Sequence, residues 1–410
     1  MEKVTNKNAV LFISYDGILD PLGKSQILPY ISQIMKTQKV YFLLSFEKKY
    51  RISKYAVKVS KELADLGINW RFLCFTKKYG VLGKAWDIMR MYIYAIYICS
   101  CFKINIVHAR GHFPAQVGLF IRKFLKLKVI FDFRGLWVDE KIEKSDWSLN
   151  KLRYRIIYNK LKKNEQKMIK SCDHLVVLTK SMSDEAKKIL TCSVEKITII
   201  PCCVDYTIFK PSSNREKIIL KSKLGIELDS KVLVYLGSVG GVYNLAPIFQ
   251  LFKIISMSHK VHLLVLTPDK EEFICEMNSF LPKSYHKKVH IVFAERNQVP
   301  YFLSIASALI FCYKNSYARK ATCPTRLAEA FSVGVPCIAG EGVGDVSDIL
   351  KSLDGGVEFD PNSISSMERI ANSFSEIASL GGRRLRSSSR NLFDISVASR
   401  LYKDIYERVS

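Results

Sequence analysis

The chain lacks several features that would have settled its class at once. Its longest apolar run, Met91–Phe102, spans twelve residues between Arg90 and Lys103, where a bilayer-spanning helix needs about 20. There is no CxxC, no HExxH and no Cys/His spacing suited to a metal, which argues against zinc-ribbon and metalloprotease readings. The eleven cysteines are odd in number and scattered, and the adjacent Cys202 and Cys203 do not bridge readily. This usage reads as reduced and cytosolic. The opening MEKVTNKN lacks the apolar stretch of a secretion signal. No repeat is present, and the one biased stretch, Arg383–Arg390 (RRLRSSSR), reads as a solvated loop or helix end. Acidic residues are scarce: 38 Asp+Glu stand against 63 Lys+Arg.

What is present describes a globular chain. Of 410 residues, 48% are hydrophobic, 11% aromatic and 25% charged, so disorder and collagen-like or disulfide-scaffold architectures are excluded. The net charge of +25 is uneven. Residues 1–210 carry 38 basic against 18 acidic residues, and residues 211–410 carry 25 against 20. Such a basic first half suits an anionic partner, whether membrane surface, nucleic acid or phosphorylated ligand; the bland alternative is a solubility device. Met91–Phe102 is expected to be a helix largely buried in a domain. The alternative is an interfacial helix, favoured by Tyr79, Tyr92, Tyr94, Tyr97 and the flanking cations.

Short apolar strands alternate with helical patterns, which argues for parallel, doubly wound sheets. Strands are expected at 9–14, 40–45, 104–107, 129–131, 175–178 and 197–200, with a basic helix over 151–170. After Pro211 the pattern restarts, with strands at 231–236, 261–266, 289–293, 308–311 and 335–339 and a terminal helix over 395–410. The chain therefore reads as two Rossmann-like α/β domains, 1–203 and 204–391, with the last helix (392–410) packing back on the first and a linker around 202–215. Two such domains would face each other across a cleft lined by the carboxyl ends of both sheets, where ligands of open α/β sheets bind.

The most informative stretch is RKATCPTRLAEAFSVGVP, residues 319–336. Pro324 and Thr325 start a helix, and Gly334 and Pro336 stop it. Its first backbone N–H groups, near Thr325 and Arg326, suit phosphate oxygens. Glu329 lies one turn on, on the same face as Thr325, where a carboxylate would accept two ribose hydroxyls. An ordinary amphipathic helix with a solvated glutamate is the alternative. The segment resembles the donor-site signature of family-4 glycosyltransferases with the GT-B fold, in its K-A-S-x-P-T-K-L-x-E variant. The resemblance implies that Glu329 binds ribose and that Pro324, Thr325, Arg326 and Leu327 bind diphosphate. The broader family has a second glutamate where Ala321 stands. Residues 235–243 (YLGSVGGVY) resemble the family's Gly-rich loop, assigning Gly237, Ser238 and Gly240 to the donor site. The Arg and Lys that often follow that loop are absent, and Arg319 and Arg326 are expected to supply the charge. GEGVGD (340–345) resembles a dinucleotide fingerprint, but its third glycine comes one residue early, which argues against NAD.

In the first half, Asp16 to Tyr30 resembles the family's G-x-S-Q-x-x-P-Y element, with Pro29 in a first helical turn. The resemblance implies that this loop faces the donor phosphates and the transferred sugar, with Gly23 allowing close backbone approach to the donor and Ser25 and Gln26 facing the sugar; a tight turn that merely caps a helix is the alternative. His108 and Arg110 end one strand. FDFRGLWVDE (131–140) ends the next and resembles F-D-x-R-G-L-W-x-D-E, found in a subset of bacterial polysaccharide glycosyltransferases. Arg134 stands where many relatives carry a sugar-contacting His, and arginine cannot act as a base at neutral pH. Asp132 joins Arg134, Arg319 and Arg326 as a catalytic candidate. Asp16, Ser25, Gln26, His108, Arg110, Asp139 and Glu140 are the acceptor or sugar candidates; a buried structural Arg–Asp pair is the competing explanation. IPCCVDYTIFKP (200–211) resembles the family's hinge strand, and its cysteines read as structural. The metal–diphosphate motif Asp-x-Asp is absent. The resemblance thus implies a metal-independent, retaining transfer without cofactor, from a UDP- or GDP-linked sugar to a lipid-linked glycan acceptor in O-antigen or capsule assembly. The enzyme would sit at the inner face of the plasma membrane, on anionic lipid, with no nucleic-acid partner. The alternatives are a sugar-nucleotide epimerase on the same fold, or a basic nucleic-acid or membrane binder.

Overall fold

The computed structural model describes residues 9–35, 40–143, 147–190 and 194–410. The opening MEKVTNKN and Cys192 lie outside the described residues. The chain divides into two compact units, Met1–Pro201 with Ile395–Ser410 and Cys202–Asp394.

The first unit is built on seven parallel strands: β1 (Ala9–Ser14), β2 (Val40–Glu47), β3 (Ile68–Cys74), β4 (Ile106–Arg110), β5 (Lys128–Phe133), β6 (His174–Val177) and β7 (Ile197–Ile199). Their order is 3-2-1-4-5-6-7. Helices join successive strands, as a parallel sheet requires. The central strands read as continuous apolar runs because both faces are covered: every residue of β4 is buried, and five of the six in β1. The helix Ile395–Val409 closes this unit by packing on the helix Leu28–Ile34.

The second unit carries six parallel strands: β8 (Lys231–Leu236), β9 (Val261–Leu266), β10 (Val289–Val292), β11 (Ala308–Phe311), β12 (Cys337–Gly340) and β13 (Gly356–Phe359). Their order is 10-9-8-11-12-13. Alternate residues feed two cores. Val232, Val234, Leu309 and Phe311 join one face, and Leu233, Tyr235, Ala308 and Ile310 the other. In each sheet the strand order reverses once, between β1 and β4 and between β8 and β11. Loops diverge there and leave a crevice at the carboxyl ends of the strands.

Two expectations need correcting. Arg383–Arg390 is neither loop nor helix end; it opens a helix, Arg383–Phe393, that buries Leu385, Ser389 and Phe393 at four-residue spacing. The run Met91–Phe102 is not largely buried. It belongs to the helix Gly80–Cys101, whose inner side buries Gly83, Asp87, Met91, Ala95 and Ile98 while Ile93, Ile96 and Tyr97 are exposed. Apolar residues surround this helix, so one face packs and the other is left over.

Candidate functional site

In the second unit, the turn after β8 and the start of the helix Thr325–Val333 meet at the switch point. Gly237 has φ +140°, and Gly240 and Gly241 are also left-handed, at +72° and +60°. This conformation suits glycine because a Cβ would clash with the backbone. The Val239 N–H donates to Asp269 Oδ2 (2.9 Å), and the Tyr235 hydroxyl donates to the carbonyl of the exposed Ser238 (2.5 Å). Beneath the turn lies Arg326, buried, with its Cζ 4.6 Å from the ring centre of Tyr243, 5.5 Å from Tyr235 and 5.7 Å from Tyr313. A Cβ placed on Gly237 would come within 2.2 Å of Arg326 Nη2. The three rings hold the cation by their negative faces, yet among the described residues the buried Nη1 has no hydrogen-bond partner. Leaving such a donor unmet costs about 1–3 kcal/mol.

The same helix carries Glu329, buried, whose Oε1 accepts from Arg296 Nη1 at 2.5 Å. Arg296 follows β10 and stacks over the ring of Phe209, 4.9 Å from its centre. The helix ends at Gly334, φ +83°. Arg319, in the short turn Tyr317–Ala321, is buried and donates to Ser316 Oγ (3.1 Å) and Thr322 Oγ1 (3.2 Å). Leu327 is corrected as a diphosphate ligand. Its side chain lies in the core, and its N–H is taken by the Pro324 carbonyl at 3.0 Å. Pro324 has no N–H, so Thr325 and Arg326 alone of those four can offer amides to an anion.

In the first unit the buried centre is Asp132, at the end of β5. Its Oδ2 accepts from Arg110 Nη1 (3.3 Å) and lies 3.7 Å from His108 Nε2; Oδ1 is 3.6 Å from Arg134 Nη1. Burial pushes this carboxyl up, but Arg134, His108 and Arg110 outweigh it and hold the pKa at about 2. Arg134, only partly buried, donates through Nη2 to Gln26 Oε1 at 3.2 Å. His108 is buried, which lowers its pKa, and its Nδ1 is 2.7 Å from the Tyr406 hydroxyl. The structure thus gathers Gln26, Arg134, Asp132, Arg110 and His108 around the ends of β4 and β5, with Arg134 nearest the surface.

Residues 216–387 match the family described as Glycosyl transferases group 1, and residues 52–207 match Glycosyltransferase Family 4. The two matches, both to glycosyltransferase families, together span most of the chain. No curated protein sequence matches it. Among solved structures, it is similar to a glycosyltransferase from Rickettsia africae ESF-5, 14% identical with a TM-score of 0.70 over 99% of both chains. It is also similar to Anabaena HepE in complex with UDP and glucose, 12% identical with a TM-score of 0.69 over 98% of this chain and 100% of that one. The lipopolysaccharide outer core galactosyltransferase WaaB is 13% identical, with a TM-score of 0.63 over 98% and 99%. At these identities the likeness is one of fold, the α/β GT-B architecture of two Rossmann-like domains.

Several residues of this glycosyltransferase have other work than their motifs implied. Gly23 approaches its own loop: a Cβ there would lie 2.2 Å from the Gly17 carbonyl oxygen. It sits inside the helix Pro21–Gln26, while Pro29 occupies the first turn of the next helix, Leu28–Ile34. Ser25 is buried and donates to the Leu22 carbonyl (3.1 Å). His108 is sealed under the terminal helix rather than offered to a sugar. Asp139 is buried against Tyr158 (2.9 Å) and Lys162 (2.9 Å) of the helix Leu152–Ser171. Asp16 is exposed, and Glu140 is half-buried beside Gly135.

Two residues of the glycosyltransferase escaped sequence reasoning. One is Arg296. The other is Glu47, at the end of β2, whose buried carboxylate accepts from the N–H groups of Ile18 (2.7 Å) and Leu19 (3.1 Å) and from Ser45 Oγ (2.7 Å). It ties down the loop after β1. Neither belongs to a motif, and each meets its partner across about 30 residues, so no local signal marks them. Among the described residues, no group of three or more His, Cys, Asp or Glu is placed to hold a metal.

Proposed function

We propose that this glycosyltransferase moves a sugar, with retention, from a UDP-linked donor to a lipid-linked glycan acceptor in bacterial surface-polysaccharide assembly. The observation that carries the donor half is the buried Arg326 Nη1, a cationic donor without a partner among the described residues, beneath the Gly237 turn and at the start of the Thr325–Val333 helix. Diphosphate oxygens would satisfy it together with the Thr325 and Arg326 amides. Glu329, one turn deeper, has Oε2 for a ribose hydroxyl while Arg296 fixes Oε1. UDP is favoured over GDP by HepE, solved with UDP. The surface-polysaccharide role is supported by the F-D-x-R-G-L-W motif and by the fold shared with WaaB.

In the transfer, the acceptor oxygen forms its bond to the anomeric carbon on the face from which the diphosphate leaves. The C–O bond to diphosphate breaks, and the acceptor proton passes to a diphosphate oxygen. The second unit's task is then to stabilise the departing charge, through Arg326, Arg319 and two amides. In this reading the arginines supply the charge compensation, no metal is required, and the enzyme works at the inner face of the plasma membrane on anionic lipid.

A thermal-shift panel of UDP- and GDP-sugars tests the donor half. A ligand at 100 times its Kd stabilises by about 2.7 kcal/mol, and a UDP-sugar is expected to do so for the wild type and not for Glu329→Ala. No shift with any nucleotide sugar, or an unchanged shift in that variant, sinks the donor site. Consumption of donor without acceptor, yielding an isomeric nucleotide sugar, would instead support an epimerase.

A further inference from the structure

The helix Gly80–Cys101 presents a side that no described residue of the first unit covers. From Ala85 to Phe102 no exposed position carries a charge; the exposed residues there are Ala, Trp, Met, Ile, Tyr, Ser, Cys and Phe. Leu82 is 78% exposed, Ile93 55% and Tyr97 59%, with Trp86 and Met89 on the same stripe. The one basic residue within this stretch, Arg90, turns inward to Asp87, the Cys74 carbonyl (2.6 Å) and Thr76 Oγ1 (3.0 Å). Helices apolar on all sides are normally buried in a large core or in a membrane. This one has 22 residues and so extends about 33 Å. Among the described residues no helix is long and apolar enough to cross a bilayer, so the stripe suits a helix lying along an interface.

The surroundings say what covers it. The helix His112–Ile121 packs beside it and continues into Phe124, 72% exposed, between the exposed Lys123 and Lys126. Next comes the helix Leu152–Ser171, with seven Lys or Arg and a single acid. That acid, Glu165, is buried against His112 (2.7 Å) and Lys162 (2.5 Å). A cavity of about 390 Å³ opens among the three helices, with Tyr92, Phe120, Lys123, Lys167 and Met168 in its walls. Apolar and aromatic side chains with a cationic rim match an anionic bilayer surface, where acyl chains take the former and phosphates the latter. A soluble protein partner would need acids of its own opposite this rim.

We propose that the outer stripe of the Gly80–Cys101 helix is the surface by which this chain docks on anionic lipid. Trp86, Ile93 and Tyr97 enter the headgroup region, and Lys123 and Lys167 beside the cavity hold lipid phosphates. The inference rests on the membrane reading above and adds the residues that carry it.

The test is flotation of the full-length protein with vesicles of phosphatidylglycerol and phosphatidylcholine, and with phosphatidylcholine alone. The wild type is expected to float with the anionic vesicles. Leu82→Glu/Trp86→Glu is expected to lower the bound fraction at least tenfold, and Lys123→Glu/Lys167→Glu to remove the preference for anionic over neutral lipid. Both side chains of the first pair are exposed, and an unaltered UDP-sugar thermal shift would show that the fold is intact. If the wild type floats and Leu82→Glu/Trp86→Glu floats equally, the helix assignment fails while the membrane reading stands. If the wild type does not float, both fail; self-association by light scattering would then show that a second copy covers the stripe.

Discussion

Arg326 is where a single side chain decides most. Its charge is permanent at any working pH, three tyrosine rings fix its direction, and the missing Cβ of Gly237 gives it room. Arg326→Met keeps the length and removes the charge, and is expected to lower kcat/KM for the nucleotide sugar at least tenfold, about 1.4 kcal/mol. Gly237→Ala keeps the arginine's charge but puts a methyl group 2.2 Å from its Nη2, on a backbone with φ +140°, and so displaces the guanidinium; it is expected to weaken donor binding by a similar factor. Steady-state kinetics on both variants check this, and an unchanged kcat/KM in Arg326→Met removes the residue from the mechanism. The signature around Arg326 and Glu329 was legible because helix-start chemistry and one-turn spacing are local. The Arg296–Glu329 pair was not, since it joins the end of β10 to a helix 33 residues further on. Leu327 was misassigned because a motif does not show which N–H groups the helix itself uses.

Elements were legible where an unbroken apolar run marks them. β1, β8, β9 and β11 begin and end where the apolar runs do, because strands covered on both faces are almost wholly apolar. β3 and β13 gave no such signal. β3 buries only Ile68 and Leu73, with Asn69 and Arg71 interrupting its apolar residues, and β13 is four residues long with a glycine at its start. The Arg383–Phe393 helix was hidden by its arginines, although Leu385, Ser389 and Phe393 are spaced as a buried helical face. The loop after β1 shows how an element depends on one close approach. Gly23 lets the Pro21–Gln26 helix lie against Gly17 and Ile18, where a Cβ would come within 2.2 Å and 2.4 Å of backbone atoms. Gly23→Ala is therefore expected to destabilise the first unit by about 1–3 kcal/mol, the usual cost of overpacking. A urea titration followed by tryptophan fluorescence reads it, since all four tryptophans, Trp70, Trp86, Trp137 and Trp147, lie in that unit; an unmoved midpoint would mean that the loop gives way without cost.

The whole molecule is basic, and its titration is as uneven as its charge. In the first unit burial lowers the pKa of His108, and burial together with Arg408 and Lys196 brings His174 down to about 4. In the second unit His290 is lowered, by burial first and by His262 after it. A histidine with a depressed pKa binds fewer protons folded than unfolded. Its contribution to stability is therefore complete above the unfolded value near 6.5 and falls away as the pH drops toward the folded value. For His174 the loss between pH 6.5 and 4 amounts to about 3 kcal/mol. Asp132 acts in a lower window: held at about 2, it stabilises the fold above its ordinary value near 3.8 and loses that only as the pH falls through 2. Calorimetry between pH 7 and 4 should therefore show the first unit's transition moving to lower temperature more steeply than the second's. His174→Gln, which keeps a group able to reach Thr198 Oγ1, should flatten that slope without altering the transition at pH 7 by a comparable amount. Equal slopes in variant and wild type would show that His174 titrates alike in the folded and unfolded chain. The acid sensitivity would then fall to His108, whose imidazole shares its environment with Arg110, Arg134 and Asp132 and cannot gain a proton without unsettling the charge balance that positions Arg134.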